Sequence, residues 1–200
     1  MKNLKVVSVG GGGLNAVNHM IDSGLTGAEF IAFNTNKYFL QMSKADKKIW
    51  LNEGKPRGLG ADLRELSMNA AIKNREEILS ALRGADVVII VAGLGGADGT
   101  GASPIIAQCA KELGALTIAV VSRPYIFEGP KRTAKAEAAL QKLSAHADAV
   151  IKIRNDKILE VVDKKTPLSA AFKCLDEILF RAVRTLVAVC QSPFRIKADA

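Results

Sequence analysis

The sequence predicts an α/β fold: a doubly wound, mostly parallel sheet with helices on both faces, ending in a long helix that joins the core. Three observations carry this. Short β-branched runs alternate with helix-period segments along nearly the whole chain, the order that builds a parallel sheet through crossover helices. The run at residues 87–92 is apolar throughout, as a strand is when helices cover both faces of its sheet. The composition, 48% hydrophobic and 24% charged over 200 residues, fills one good core and is too apolar for a disordered chain.

Each element follows from its local pattern. Residues 4–9 are a compact β-branched strand that runs into Gly10–Gly13, and 15–23 read as a helix with Val17, Met20 and Ile21 on one face. A second strand at 29–34 precedes a helix at 37–44. Residues 50–61 read as a glycine-containing loop with one proline. One long amphipathic helix is expected over 64–82, with Leu66, Ala70, Ile72, Ile78, Leu79 and Leu82 at helical spacing and Gly84 closing it. The strand at 87–92 enters a second glycine-rich turn, 93–101. Pro104 then suits the first turn of a helix to about 113. A strand at 116–122, a loop and helix at 129–145, a strand at 149–153, a short helix at 157–163 and a long one at 168–190 complete the pattern. Thr166 or Ser169 is expected to cap the last. One domain over 1–190 and a short tail over 191–200 are expected.

Several function classes are disfavoured by composition. The net charge is +8, but the basic residues are scattered and aromatics are only 5% of the chain, so no nucleic-acid surface is expected. The longest nearly apolar runs, 87–96 and 115–122, are too short to span a bilayer. The N-terminal apolar stretch leads straight into four glycines, unlike a signal peptide. A cytoplasmic protein with no direct membrane insertion is therefore expected. Cys109, Cys174 and Cys190 form no C-x-x-C and no Cys/His pair at metal spacing, and His19 and His146 lie in predicted helices. No metal site in the protein itself is expected.

The chemistry is concentrated in two glycine turns at strand carboxyl ends, the place where α/β sheets bind ligands. Gly10-Gly11-Gly12-Gly13-Leu14-Asn15 follows the first strand, and Gly95-Gly96-Ala97-Asp98-Gly99-Thr100-Gly101 follows the apolar one. Glycine lets backbone N–H groups come close to an anion, and the helix behind adds its positive end. The first turn alone also fits a dinucleotide fingerprint through Gly11, Gly13 and Ala16. A nicotinamide site, however, wants an acid at the end of strand two, where this chain has Asn34 and Asn36. No G-x-x-x-x-G-K-[ST] is present. Two strand–glycine–helix turns suggest a polyphosphate held from two sides.

These motifs resemble the FtsZ/tubulin family, whose phosphate loop reads G-G-G-T-G-[ST]-G where this chain reads G-G-A-D-G-T-G at 95–101. The likeness is greater to the FtsZ branch. It extends to G-G-G-G-L-N-A-V-N-H-M (10–20), F-I-A-F-N-T-N (30–36), R-G-L-G-A (57–61), G-A-L-T-I-A-V-V-S-R-P (114–124), F-E-G-P-K-R (127–132) and N-D-K-I-L (155–159). The resemblance implies a Rossmann-like GTPase domain with GTP or GDP as ligand. It assigns phosphate and nucleotide contacts to Gly11, Gly12, Gly13 and Asn15. It assigns the main phosphate loop to Gly95, Gly96, Asp98, Gly99, Thr100 and Gly101, and terminal-phosphate sensing to Gly60 and Ala61. Glu128 and Arg132 match the ribose and phosphate end, Asn155 a nucleotide-side asparagine, Phe172 the ring that packs on guanine, and Asp176 the acid that reads its edge.

Three departures from the family pattern shape the expectations. Ala97 and Asp98 replace glycine and threonine. A carboxylate about 4 Å from a phosphate oxygen costs on the order of 4 kcal/mol at an effective dielectric near 20. Asp98 is therefore expected to weaken phosphate binding unless it points away or a Mg²⁺ lies between, and Asp98→Thr to favour GTP. The alternative is that Asp98 caps the following helix. Residues 62–67 follow Gly60 and Ala61 directly, giving a shorter sensor loop. The tail reads K-A-D-A at 197–200, so Asp199 matches the first acid of the family's catalytic N-x-D-x-x-D loop and Lys197 replaces its asparagine. The expected function is thus a guanine-nucleotide-binding domain of a cytoskeletal cell-division GTPase that hydrolyses little on its own, with a second copy or a complete FtsZ as filament partner. The alternative is a nucleotide-free module that docks on or caps FtsZ filaments.

Overall fold

The computed structural model describes residues 2–52, 62–161 and 167–192. Among these residues, six strands form one wholly parallel sheet: β1 (Leu4–Val9), β2 (Glu29–Asn34), β3 (Lys47–Trp50), β4 (Val87–Gly93), β5 (Leu116–Arg123) and β6 (Ala149–Arg154). Their spatial order is β3-β2-β1-β4-β5-β6, with Ser8 paired to both Ala32 and Val91. The order runs one way from β1 and the other way from β4, so the direction of winding reverses between these two neighbours. That reversal opens a crevice at the strands' carboxyl ends.

Side chains alternate across the sheet, and each face buries its own core. On one face, Val7, Val9, Ile31, Phe33, Val88 and Ile90 pack under four helices: α3 (Leu63–Lys73), α4 (Arg75–Leu82), α6 (Ser103–Glu112) and α7 (Pro130–Ser144). On the other, Val6, Ala32, Ile89, Val91 and Val120 pack under α1 (Gly10–Asp22) and α9 (Leu168–Gln191). Short helices α2 (Lys37–Gln41), α5 (Asp98–Gly101) and α8 (Asn155–Val161) sit at the carboxyl end of the sheet. The doubly wound parallel fold read from the sequence is the fold observed.

Four local expectations are corrected. The glycine run 10–13 is not a turn before a helix but the first turn of α1 itself; packing against the sheet outweighs glycine's poor helix propensity. A strand, β3, forms at 47–50, partly inside the expected loop. It is a four-residue edge strand, and its two lysines blunt that edge. The single helix expected over 64–82 breaks at Asn74. The Asn74 amide donates to the Ala70 carbonyl at 2.7 Å and to the Asn52 carbonyl at 3.1 Å, so a side chain competes with helical bonding there. Ser169 lies inside α9, whose start at Pro167 carries no side-chain cap; Thr166 lies outside the described residues. Among those residues no helix is long and apolar enough to cross a membrane.

Candidate functional site

The crevice holds a cavity of about 420 Å³. Its floor is built where β1 passes directly into a helical turn and β4 reaches one through the glycine loop at 94–97. Helix α1 begins at Gly10 with no side-chain cap from Val9, and α5 begins at Asp98 with none from Ala97. The first N–H groups of a helix have no partner within it, so uncapped starts leave donors facing the cavity. The space beside Gly11 and Gly96 is open: a Cβ at either would meet nothing within 4 Å. Gly95 takes a φ of +94°, which turns the chain from β4 into this loop and which only glycine adopts without strain.

The predicted residues divide into two groups. Gly11, Gly12, Asn15, Gly96, Asp98, Gly99, Glu128, Arg132, Asn155, Phe172 and Asp176 line the cavity. Gly13, Gly95, Thr100 and Gly101 do not; they shape the turns from behind. Gly13 lies against the Val91 carbonyl of β4, where a Cβ has no room. The Thr100 hydroxyl accepts from the Gly95 N–H at 2.8 Å and so braces the second turn. Gly60, Ala61 and Asp199 lie outside the described residues.

At the far end of the cavity, α9 supplies Phe172, Leu175, Asp176 and Leu179. Phe172 is half-exposed and stands edge-on to the buried Tyr125 at 5.5 Å. Asn155 is 4% exposed, and its Oδ1 has no partner among the described residues; a buried acceptor facing a cavity is a place for a ligand donor. Burial pushes the Asp176 carboxyl up to about 6, with nearby His19 acting the other way. The sequence reading missed Asn34, Thr35, Asn36, Phe39, Ser122 and Pro124, which also line the cavity. The signal was available: F-N-T-N ends β2, and the ends of neighbouring strands meet at the crevice.

Charge sets the chemistry. Among the described residues, Arg132 is the one cation in the lining, against Asp98, Glu128 and Asp176. Two of the acids are already committed, and burial raises the pKa of the third, Asp176. Glu128 accepts from the Tyr125 N–H at 2.8 Å and pairs with Arg132 at 3.0 Å. Asp98 is 7% exposed; its Oδ2 accepts from the Thr35 N–H at 3.0 Å and its Oδ1 from the Thr35 hydroxyl at 2.8 Å. The carboxylate thus neither caps the helix nor stands free beside the glycines: it is a strut from α5 to the end of β2. An anion here would be held mainly by backbone N–H groups and helix ends. Beyond Gly96 and Ala97 a shallower cleft of about 430 Å³ adds Arg64 and Lys135, facing Asp62. Among the described residues no three His, Cys, Asp or Glu side chains cluster to hold a metal.

Two outcomes follow. Asp98→Thr loses both hydrogen bonds to Thr35 and is expected to lower folding stability by about 1–3 kcal/mol, with Asp98→Asn, which keeps an acceptor, losing less. Urea unfolding measures this; equal stability of Asp98→Thr and the parent would show that the strut does not form in solution. For Asp176, the folded-state value lies above the ordinary carboxyl range, so the group favours folding below its unfolded pKa and that contribution is lost as pH rises through about 6. Asp176→Asn is therefore expected to stabilise the ligand-free protein by about 1–2 kcal/mol at pH 7.5, after allowance for solvent screening. The gain should fade as pH falls from 6 toward 4. A gain independent of pH would contradict the assignment.

Known proteins match both the sequence and this geometry. The family model described as "Tubulin/FtsZ family, GTPase domain" matches residues 3–163. An empty FtsZ dimer from M. jannaschii is 39% identical with a TM-score of 0.89, covering 100% of this chain and 58% of that one. A mutant of the M. jannaschii protein gives 39% and 0.88, over 99% and 60%. CetZ2 from Haloferax volcanii, solved as a GTPγS-bound protofilament, shares the fold at 23% identity and a TM-score of 0.82, over 97% and 60%. The present chain thus spans about three-fifths of the length of these solved chains. With the family model matched over most of its length and M. jannaschii FtsZ 39% identical across all of it, the chain belongs to the Tubulin/FtsZ family.

Proposed function

We propose that this chain is the guanine-nucleotide-binding domain of an FtsZ-like cytoskeletal GTPase. The observation that carries the reading is the crevice between β1 and β4. Two uncapped helical starts lie at one end, with open space at Gly11 and Gly96, and a partly buried carboxyl, Asp176, lies at the other. A cavity of about 420 Å³ falls within the usual range for small-molecule sites. The phosphates lie over Gly11, Gly12 and Gly96, and a terminal phosphate points toward Arg132, Arg64 and Lys135. The base packs against Phe172. The Asp176 carboxylate accepts from the two guanine edge donors, a pair that adenine lacks. Asn155 Oδ1 takes a further donor from the nucleoside. With Glu128 tied to Arg132 and Asp98 to Thr35, Mg²⁺ arrives on the nucleotide's own phosphates.

The mouth of the cavity is unusually apolar for a surface. Tyr38, Phe39, Ile126 and Phe127 are 68%, 47%, 75% and 59% exposed, and Phe39 and Glu128 connect this rim to the lining. Exposed apolar patches mark interaction surfaces. M. jannaschii FtsZ was solved as a dimer and CetZ2 as a protofilament. We read this rim as the face on which a second copy, or a complete FtsZ, stacks over the nucleotide. The FtsZ likeness supports a role in cell division.

Calorimetric titration with GDP, GTP, ATP and NAD tests the nucleotide reading. GDP and GTP are expected to bind, ATP far more weakly and NAD not at all. Asp176→Ala is expected to weaken GDP by roughly 1–3 kcal/mol, the range for a lost hydrogen bond to a charged group. Equal affinity for ATP and GTP would overturn the role of Asp176. No binding of any nucleotide, with the fold intact by circular dichroism, would favour a nucleotide-free module that docks on FtsZ filaments.

A further inference from the structure

A second cavity, about 360 Å³ in volume, lies behind the nucleotide site. The two share a wall. Asp98 and Gly99 of α5 line the first cavity, and Thr100 and Gly101 of the same turn line the second. The wall is stiff. A Cβ on Gly101 would collide with the backbone of Arg64 and Met68 in α3, so α3 rests directly on the turn. The Thr100 hydroxyl is bonded to the Gly95 N–H at 2.8 Å, which ties this wall to the glycine loop of the first cavity.

The space exists because α7 turns small side chains toward it. Ala138 and Ala139 of α7, with Ala145 just after it, face Met68 of α3 and Pro104 and Ile105 of α6. The interior is therefore apolar. The remaining lining carries Arg64 and Lys142 against Glu65, with His146 beside them. Arg64 is held by Asp62 at 3.3 Å. The side chains of Lys142 and His146 have no hydrogen-bond or ion-pair partner among the described residues. An apolar pocket with an unpaired ammonium at its edge complements a molecule with an apolar body and one negative end.

We propose that this second cavity binds a small amphipathic anion, a medium-chain carboxylate in chemical class, and that its occupancy changes nucleotide affinity through α5. The ligand's chain lies on Met68, Ile105 and Ala138, and its carboxylate meets Lys142. Because the coupling is thermodynamic, nucleotide must change the anion's affinity by the same factor. The coupling rests on the nucleotide reading of the first cavity; the binding does not.

The test uses the whole 200-residue chain with labelled histidine and octanoate as the probe. The chain has two histidines: His146 lines this cavity, and His19 lies on α1 beside Glu177 of α9. Octanoate is expected to shift the His146 ring resonances saturably and leave those of His19 in place, and octylammonium to bind more weakly. Lys142→Glu, at an exposed position, should weaken octanoate by about threefold, the size of one exposed charge contact, and strengthen octylammonium. Ala138→Phe should fill the cavity and abolish both. GDP affinity should change with saturating octanoate in the parent and not in Ala138→Phe. An unmoved His146, a non-saturating shift, or equal binding of both probes regardless of Lys142 would overturn the site. A His146 shift that follows protein concentration instead of octanoate would mark a self-association face and overturn it as well. Octanoate and GDP binding independently would overturn the coupling. Octanoate binding in a protein that takes no GDP would support the site and place the failure in the nucleotide reading.

Discussion

Two stretches of backbone touch at the end of the β1–β4 pair, and the rest of the site depends on that contact. Gly99 lies against the backbone of Gly93, and Gly13 lies against the Val91 carbonyl. No side chain fits at either place. The approach lets α1 start at the end of β1 and α5 just past the short loop after β4, which aims their uncapped N–H groups into one crevice. It also brings the β2 end close enough for Thr35 to hold Asp98. An alanine at Gly99 or Gly13 would push the turns apart and undo the floor of the cavity before touching any ligand.

The proposed nucleotide site would hold an anion without relying on cationic side chains. Three carboxyls and one guanidinium line the cavity, an arrangement hostile to phosphate if the acids were free. Thr35 binds one and the Tyr125 N–H and Arg132 bind another, while burial raises the third. The cost falls on Asp176, which is kept partly out of water at the expense of stability. Residues held at such a cost mark functional sites more often than structural ones. The cation-rich cleft past Gly96, with Arg64, Arg132 and Lys135, supplies positive charge where a longer phosphate chain would extend.

Much of this was legible in the residues. The alternation of strands and helices, the fully apolar β4 and the glycines at two strand ends led directly to the fold and to the place of the crevice. The identities of Phe172 and Asp176 as site residues came only through the family likeness, because a helical period does not say what an aromatic or an acid on α9 faces. Other features were hidden for physical reasons. Glycine serves both close packing and anion contact, so sequence could not separate Gly13, Gly99 and Gly101 from Gly11 and Gly96. The direction of the Asp98 carboxylate depends on Thr35, far away in the chain and adjacent only in the folded sheet. The break at Asn74 and the short strand β3 turn on single hydrogen bonds and edge pairing that a periodicity reading averages away.

On the proposed reading, the uncapped turns at Gly11 and Gly96 hold a diphosphate while α9 holds guanine. Amide nuclear magnetic resonance on the intact chain addresses it directly, by comparing GDP with guanosine. GDP is expected to shift the Gly11, Gly12 and Gly96 amides together with residues around Asp176, and guanosine, lacking phosphates, to perturb only the Asp176 end. Shifts from GDP that bypass Gly11 and Gly96, or identical shifts from guanosine, would contradict it.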